Sequence, residues 1–395
     1  MNISADHIKM KFRNESEYNN FLSVTLSRYL NKVKLRINDY PNEWDNIKRL
    51  TNSYEYIHTT LPNSKNSISK IKPLSRAFFK LIEICNTFEI FKNTPTSIKS
   101  FHLAEGPGGF IEAMTYLRSN EEDRYHGMTL INPDNENIPG WNKSALFLRK
   151  NNNVVIEKGV DNTGNLYSPE NFKFCYDSYK GSMDFITADG GFDFSVDFNK
   201  QEAMALRLIF TEVLYAISMQ KYNGTFVLKM FDTFLKSSND VIFLLSALYK
   251  KVYIVKPHTS RKANSERYVV CVGYKLKSAD HLFNKLYHTL ITLNNSLINE
   301  MTILSVMDVE FPYKFKCVME EINAVLGSQQ IDNIQTTLRF IENKERKGEK
   351  IQQIKNNNIQ KCIAWCIKNK IPYNKTGQGG NIFMTNKKVK MCVKN

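Results

Sequence analysis

Hydrophobic residues recur with helical periodicity in the first part of the chain. Over 17–57, apolar and aromatic positions recur at helical spacing, and Pro41 interrupts the pattern. A polar linker over 62–70 comes next. Ser75 is the predicted N-cap of a further helix that runs toward Phe88, because a serine hydroxyl can accept from the free backbone N–H groups of a first turn.

After Pro95 the hydrophobic pattern changes to short apolar runs separated by helical segments. Seven runs are predicted as strands, namely SFHLAE, YHGMTLI, NVVIEKG, MDFITADGG, GTFVLKMF, KVYIVKP and ERYVVCVGY. Helical segments lie between several of them, notably QEAMALRLIFTEVLYAISMQ and DVIFLLSALYKK. The pattern predicts an α/β, Rossmann-like fold with a mostly parallel seven-stranded sheet. The last two runs are close enough to form an antiparallel pair.

A third region begins near Ser278, where helical spacing returns with few strand signals. The predicted division is therefore a helical N-terminal extension over 1–70, an α/β domain over 71–277 and a helical, basic C-terminal module over 278–395. From Glu342 onward there are 13 Lys and Arg against 3 Glu, a net charge of +10. Such a basic tail is either simply solvated or contributes to RNA binding.

Composition and charge fit a folded protein with a polyanionic partner. The 395 residues are 42% hydrophobic and 12% aromatic, which excludes a disordered chain. Lys and Arg exceed Asp and Glu by 54 to 39, which favours nucleic acid or an anionic membrane over neutral partners, although a basic globular protein without such a partner stays an alternative. No stretch approaches the about 18 apolar residues of a membrane span, so we expect no membrane association.

The seven cysteines are scattered, odd in number and free of CxxC spacing. We therefore expect a reducing, intracellular compartment, either the nucleus or the cytoplasm, including a viral factory if the protein is viral. Cys362 and Cys366 share a predicted helix, but no second ligand pair accompanies them, so no metal site is predicted.

A glycine-rich turn joins the run SFHLAE to an amphipathic helix. Its candidate cofactor-binding residues are Glu105, Gly106, Pro107, Gly108, Gly109 and Phe110. Ile111 occupies the third glycine position of a dinucleotide fingerprint, and a P-loop would need Gly-Lys-Ser/Thr. The acid before the glycines disfavours a pyrophosphate and favours a cation such as the sulfonium of S-adenosylmethionine. A purely structural glycine turn is the alternative.

Methyl transfer to a ribose hydroxyl needs a group that accepts the hydroxyl proton. A lysine can serve when part of its population is neutral, which burial and neighbouring cations favour. Four charged residues adjoin the predicted strands or lie on the helix after Ser75, namely Lys80, Asp189, Lys229 and Glu266. Each alone has an ordinary explanation as a surface charge or a turn former, and chain position does not show that they converge.

Five motifs, in order, carry a family resemblance. SRAFFKL, AEGPGGF, TADGGF, GTFVLKMFD and KPHTSRKANSERYVVC resemble those of FtsJ-like ribose methyltransferases, in particular the eukaryotic and large-virus mRNA cap 2'-O-methyltransferases. The resemblance covers about 72–275. It implies an S-adenosyl-L-methionine-dependent RNA 2'-O-methyltransferase that converts cap 0 to cap 1 at the first transcribed nucleotide of capped mRNA, with other capping or transcription proteins as expected associates.

The same resemblance assigns residue roles. Lys80, Asp189, Lys229 and Glu266 correspond to the family's Lys-Asp-Lys-Glu tetrad, with Lys229 as the central base. Asp189 is also expected to bind the cofactor. Asn165 occupies the position at which the family has an acidic residue near the adenine of the cofactor. The substrate RNA is expected to contact Arg76, Arg261 and Asn264.

The sequence leaves open two alternatives to methylation of the first cap nucleotide. The methyl acceptor could be the second cap nucleotide or a ribosomal or transfer RNA. The chain could also be an inactive RNA-binding scaffold that keeps a methyltransferase fold, because fold alone does not fix function.

Overall fold

The structure is a computed structural model that describes residues 4–13, 21–62, 64–92, 94–132, 135, 138, 140–191, 199–299, 301–343 and 348–374. The stretch 375–395, with the Gly-rich break, Cys392 and part of the basic charge of the predicted C-terminal module, lies outside the described residues. So do the first residues of the helical pattern predicted over 17–57.

The central sheet confirms the seven predicted strands. They are β2 (Lys99–Leu103), β3 (Arg124–Met128), β4 (Val154–Glu157), β5 (Met183–Ala188), β6 (Gln220–Met230), β7 (Tyr249–Val255) and β8 (Arg267–Tyr274). Their spatial order is β4-β3-β2-β5-β6-β8-β7. The first five are parallel neighbours, whereas β8 runs antiparallel to both β6 and β7. The predicted antiparallel terminal pair is therefore confirmed.

The strand order reverses between β2 and β5, since β3 and β4 extend the sheet on one side and β6 to β8 on the other. In open α/β sheets, ligands bind beyond the carboxyl ends of the strands at such a reversal. Glu105 and the glycines follow β2 there, and Asp189 follows β5. The topology alone thus brings two of the candidate motifs to one place.

Helices cover both faces of the sheet. They include α3 (Ala77–Thr87), α4 (Gly109–Arg118), α5 (Ala145–Lys150), α6 (Pro169–Tyr179), α7 (Gln201–Met219), α8 (Lys236–Leu248) and α9 (Asp280–Ile298). Arg76 takes the N-cap position of α3, one residue after the predicted Ser75, while the Ser75 hydroxyl accepts from the Ala77 N–H at 3.3 Å. The serine therefore supports the helix start, and α3 ends before Phe88 as predicted.

Alternate strand residues face two separate hydrophobic clusters. In β6, Phe226 and Leu228 belong to the cluster that contains α7 and α8, whereas Val227 belongs to the one that contains α3 and α4. In β8, Tyr268 and Val270 also face the α3 side. Since side chains two positions apart share a face of a strand, Lys229 points to the α3 side together with Val227.

The flanking regions contain helices, as predicted, and one element that the pattern did not predict. The helices are α1 (Val24–Leu35), α2 (Pro41–Thr51), α10 (Tyr313–Glu342) and α11 (Gly348–Lys368). In addition, β1 (Ile8–Arg13) pairs antiparallel with β9 (Thr302–Met307). Ile8, Met10 and Phe12 alternate with basic residues, so the strand signal was present in the sequence.

Both flanking regions pack on the α/β core. Trp365 of α11 donates its indole N–H to Glu83 of α3 at 3.0 Å, and its ring meets Phe79 edge to face. Trp44 of α2 shares a third cluster with Leu338 of α10. The boundaries at 70/71 and 277/278 stay predictions, which limited proteolysis can test.

Among the described residues, five cysteines are buried and Cys317 is half-buried, and all six are free thiols. No group of three metal-binding side chains is found in the part of the chain that the structure describes. In the same part, no helix is long and apolar enough to cross a membrane.

Candidate active site

The four candidate charged residues converge at the carboxyl end of the parallel strands. Lys229 lies one residue before the end of β6, and Glu266 immediately precedes β8. Because β8 is antiparallel to β6, it begins where β6 ends, and Tyr268 is paired with Lys229. The helix α3 covers this face and supplies Lys80. The sheet geometry therefore brings together residues that are far apart in sequence.

Lys80 and Glu266 form one buried ion pair. The Lys80 Nζ lies 2.7 Å from Glu266 Oε2, and the other carboxylate oxygen accepts from the Ser260 hydroxyl at 2.7 Å. Burial by itself would raise the pKa of Glu266, but the neighbouring ammonium groups of Lys80 and Lys229 hold it well below its usual range. Glu266 is therefore a carboxylate at neutral pH.

Lys229 and Asp189 form the second pair. The Lys229 Nζ donates to the Asp189 backbone carbonyl at 2.6 Å and lies 3.3 Å from the Asp189 Oδ1. The Tyr268 hydroxyl also donates to this Oδ1, at 2.7 Å, while the Lys80 Nζ sits 5.8 Å from the centre of the Tyr268 ring. Tyr268 thus links the two ion pairs.

The pKa of Lys229 results from two opposed effects. Burial lowers it, but the surrounding carboxylates outweigh burial and raise the pKa above its ordinary value. These carboxylates belong to Asp189, Glu266 and Glu212. In this arrangement Lys229 is protonated at neutral pH, so only a small fraction of the amine is able to accept a proton.

Glu105 has a contact that the sequence argument did not foresee. Its Oε1 accepts from the backbone N–H groups of Phe110 at 2.6 Å and Ile111 at 3.1 Å, which satisfies two free donors at the start of α4. Burial raises its pKa to about 8. The residue is therefore partly neutral near physiological pH and serves as a helix cap, which weakens the argument that its charge selects a sulfonium.

The glycines of the loop lie against protein atoms. A Cβ at Gly106 would come within 2.7 Å of the Gly140 carbonyl oxygen, and a Cβ at Gly109 would collide with the Ser75 Oγ. Gly108 has a φ of +106°, which other residues rarely adopt. Packing and backbone conformation thus require glycine here, in addition to any ligand that the loop holds.

The Asn165 segment lies beside the glycine loop, and Thr129 joins the two. A Cβ added at Gly106 would lie 3.1 Å from the Thr129 side chain, and a Cβ added at Gly164 would collide with the Thr129 carbonyl oxygen. Asn165 uses its Oδ1 to accept from the Tyr167 N–H at 3.0 Å. The structure therefore brings the predicted adenine-side residue next to the predicted cofactor-binding loop.

The three residues expected to contact RNA lie near the tetrad but are already engaged. Arg76 donates to the Thr259 carbonyl at 3.0 Å, and Arg261 forms a two-point ion pair with the buried Glu55. The Asn264 Oδ1 accepts from Lys256 at 2.7 Å. Arg261 and Asn264 line a cavity of about 140 Å³ together with Lys34, Ile37, Trp44, Lys48, Gln201, Ala263, Ser265 and Gln330.

Sequence reasoning missed three polar groups around the tetrad. Tyr268 and Lys256 contact tetrad residues directly, and Glu212 of α7 is buried beside Gly190. Burial raises the pKa of Glu212 to about 8, and its Oε1 has no hydrogen-bond partner among the described residues. A signal existed for Glu212, since it is a lone acid within the apolar run LIFTEVLYAI. Lys256 and Tyr268 lie within the motif KPHTSRKANSERYVVC, but the sequence alone assigned neither of them a role.

Comparison with known proteins identifies the family. The family model described as FtsJ-like methyltransferase matches residues 73–274. The Drosophila melanogaster protein named cap-specific mRNA (nucleoside-2'-O-)-methyltransferase 2 is 29% identical over 84% of this chain and 48% of its own length. This chain therefore spans about half the length of that relative.

Two further relatives carry the name cap-specific mRNA (nucleoside-2'-O-)-methyltransferase 1. The Mus musculus protein is 32% identical over 60% of this chain and 29% of its own length. The Trypanosoma brucei brucei protein is 28% identical over 70% of this chain and 75% of its own length. Because the family model spans more than half of the chain and includes all four charged site residues, the chain belongs to the FtsJ-like methyltransferase family.

Proposed function

We propose that this protein transfers a methyl group from S-adenosyl-L-methionine to the ribose 2'-oxygen of the first transcribed nucleotide of capped mRNA, converting cap 0 to cap 1. The proposal rests on two buried ion pairs, Lys80 with Glu266 and Lys229 with Asp189. Tyr268 lies between them. The names of the relatives support the choice of a capped mRNA as substrate.

The residues at the strand reversal fit S-adenosylmethionine. The loop 105–110, Asn165 and Asp189 would hold it, and the molecule would supply an electrophilic methyl group there. The buried Trp141 Nε1 has no hydrogen-bond partner among the described residues and lies beside the loop, where Gly108 faces the Trp141 ring.

The protein's part in the reaction is to take the hydroxyl proton. Neutral Lys229 accepts it on Nζ, and the carbonyl and carboxylate oxygens of Asp189 stabilise the ammonium that results. Glu266 and Lys80 add a fixed pair of opposite charges beside the reacting group. Since the groups interact strongly, the proton affinities belong to the cluster as a whole.

A transfer assay with tritiated S-adenosylmethionine tests the proposal against its alternatives. We expect label on cap 0 RNA, and none on uncapped RNA or on RNA that already carries cap 1. Preferred labelling of cap 1 RNA would assign the second cap nucleotide instead, and labelling of uncapped structured RNA would assign ribosomal or transfer RNA. Absence of label on every substrate, with RNA binding intact, would identify an inactive scaffold.

The compartment and the protein partners are part of the same proposal. The five buried, unpaired cysteines among the described residues agree with a reducing intracellular site, in the nucleus or the cytoplasm. We expect other capping or transcription proteins to associate with the chain, and co-purification from the source cell followed by mass spectrometry tests this.

A further inference from the structure

Lys256 begins the segment that joins β7 to β8. It is the first residue after β7, and its side chain turns back across the loop 256–266. Its Nζ donates to the backbone carbonyl oxygens of Glu266 at 2.6 Å and Asn264 at 2.7 Å. The third bond goes to the Asn264 side-chain oxygen at 2.7 Å. An ammonium has three donors, so this set uses all of them.

The third bond fixes the orientation of the Asn264 amide. A lysine ammonium donates and does not accept, so the Asn264 atom that faces Lys256 is the oxygen. The Nδ2 group therefore points away from Lys256, and it has no acceptor among the residues that the structure describes. Asn264 also lines the cavity that contains Trp44 and Arg261. Asn264 is therefore placed to contact a ligand in this cavity.

Charged groups surround Lys256 on several sides. Burial lowers its pKa to about 7, Glu266 and Asp232 oppose the shift, and Arg267 and Lys80 add to it. With a pKa of about 7, Lys256 is protonated in part of the population at neutral pH, and the three oxygen acceptors around its Nζ match the protonated form. Two of these three contacts are made to Asn264.

We propose that Lys256 is a positioning residue that holds the Asn264 oxygen, so that the Asn264 Nδ2 donates to an acceptor oxygen of the substrate RNA. The inference rests on the proposed function, because it takes RNA as the occupant of the cavity. It predicts that the effects of the two residues on RNA affinity are coupled. It also predicts that RNA binding depends on the Asn264 Nδ2 donor and not on the size of the side chain.

The substitution Asn264→Asp separates these roles. The carboxylate keeps the acceptor that Lys256 needs and removes the donor. We expect the Kd for a fluorescein-labelled capped RNA, measured by anisotropy, to rise at least about tenfold, as we also expect for Asn264→Ala, because the donor is lost and a carboxylate repels an acceptor oxygen of the RNA. Binding equal to that of the unsubstituted protein would overturn the inference, and this comparison does not require any Lys256 variant to fold.

A double-mutant cycle tests the coupling. Lys256→Met and Asn264→Ala should each raise the Kd about tenfold, and the double variant should show the same tenfold loss rather than a hundredfold one. The matched control is Lys262→Met, an exposed lysine of the same loop, whose effect should add to that of Asn264→Ala. Additive losses in the Lys256 cycle would contradict the positioning role.

The two levels of the proposal fail in different ways. If the unsubstituted protein binds capped RNA without methyl transfer, the proposed activity is wrong, and the binding cycle still decides the role of Lys256. If transfer is normal and Asn264→Asp binds RNA as tightly as the unsubstituted protein, only the inference about Lys256 is wrong. If no RNA binds, both are wrong.

Discussion

Lys80 and Glu266, separated by 186 positions in the chain, form an ion pair of 2.7 Å in which both side chains are almost completely buried. The pair joins α3 to the start of β8, so it requires α3 to be packed on this face of the sheet. The pair therefore links the catalytic proposal to the stability of the domain.

Removing one partner of this pair should destabilise the protein. Lys80→Ala leaves the Glu266 carboxylate buried without its closest cation, and we expect a loss of roughly 3 kcal/mol in the free energy of unfolding. Urea unfolding followed by circular dichroism measures it. The control is Lys92→Ala, whose pair with Glu89 is exposed and should contribute less than about 1 kcal/mol. Equal effects of the two substitutions would show that the buried pair contributes no more than a surface pair.

Replacing Gly108 with leucine should weaken cofactor binding. The φ of +106° disfavours any side chain, and the larger residue would displace the loop against Leu74 and Trp141. We expect at least about a tenfold rise in the Kd for S-adenosylmethionine, measured by calorimetry. Gly181→Leu is the matched control, since Gly181 also has a positive φ but faces open space. Unchanged affinity in Gly108→Leu would refute the loop assignment.

The buried Glu212 should make stability depend on pH. Its folded pKa of about 8 lies above the ordinary value of 4.5, so the folded state holds a proton that the unfolded state releases. Its contribution is complete below about pH 4.5 and is lost as pH rises through about 8, at roughly 1.4 kcal/mol per pH unit. Glu212→Gln should therefore gain stability relative to the unsubstituted protein between pH 5 and pH 8. A constant difference in unfolding free energy across this range would contradict the shift.

The rate of methyl transfer should rise with pH. The raised pKa of Lys229 keeps the amine protonated at neutral pH, and its neutral fraction grows about tenfold per pH unit below that pKa. Single-turnover rates between pH 6 and pH 8.5 measure the dependence where chemistry limits the rate. A rate that does not change with pH would show either that another group accepts the proton or that binding lowers the Lys229 pKa below this range.

The sequence predicted the central sheet and the four charged residues but not their contacts. Each strand is a compact apolar run, so periodicity was enough to find it. Lys80, Asp189, Lys229 and Glu266 could be assigned only through the motifs, because each alone looks like an ordinary surface or turn residue.

The remaining features depend on distances that chain position does not encode. Whether Lys256 reaches Asn264 depends on how the loop 256–266 turns, and the cap that Glu105 gives to α4 depends on the path of the glycine loop. The pairing of β1 with β9 joins two segments that lie far apart in the chain. The alternating pattern of β1 was visible, but its distant pairing strand was not.

Methyl transfer to two capped RNAs that differ only in the 2'-hydroxyl of the first transcribed nucleotide most directly tests 2'-O-methylation with Lys229 as the base. The assay compares the unsubstituted protein with Lys229→Met. Lys221→Met, at the opposite end of β6, is the control because its exposed pair with Asp184 lies away from the site. We predict that the hydroxyl substrate is methylated by the unsubstituted and control proteins. Lys229→Met should lose about 10²- to 10⁴-fold in rate while it still binds S-adenosylmethionine, and the deoxy substrate should remain unlabelled. Methylation of the deoxy RNA, or a near-normal rate in Lys229→Met, would contradict 2'-O-methyl transfer with Lys229 as the base.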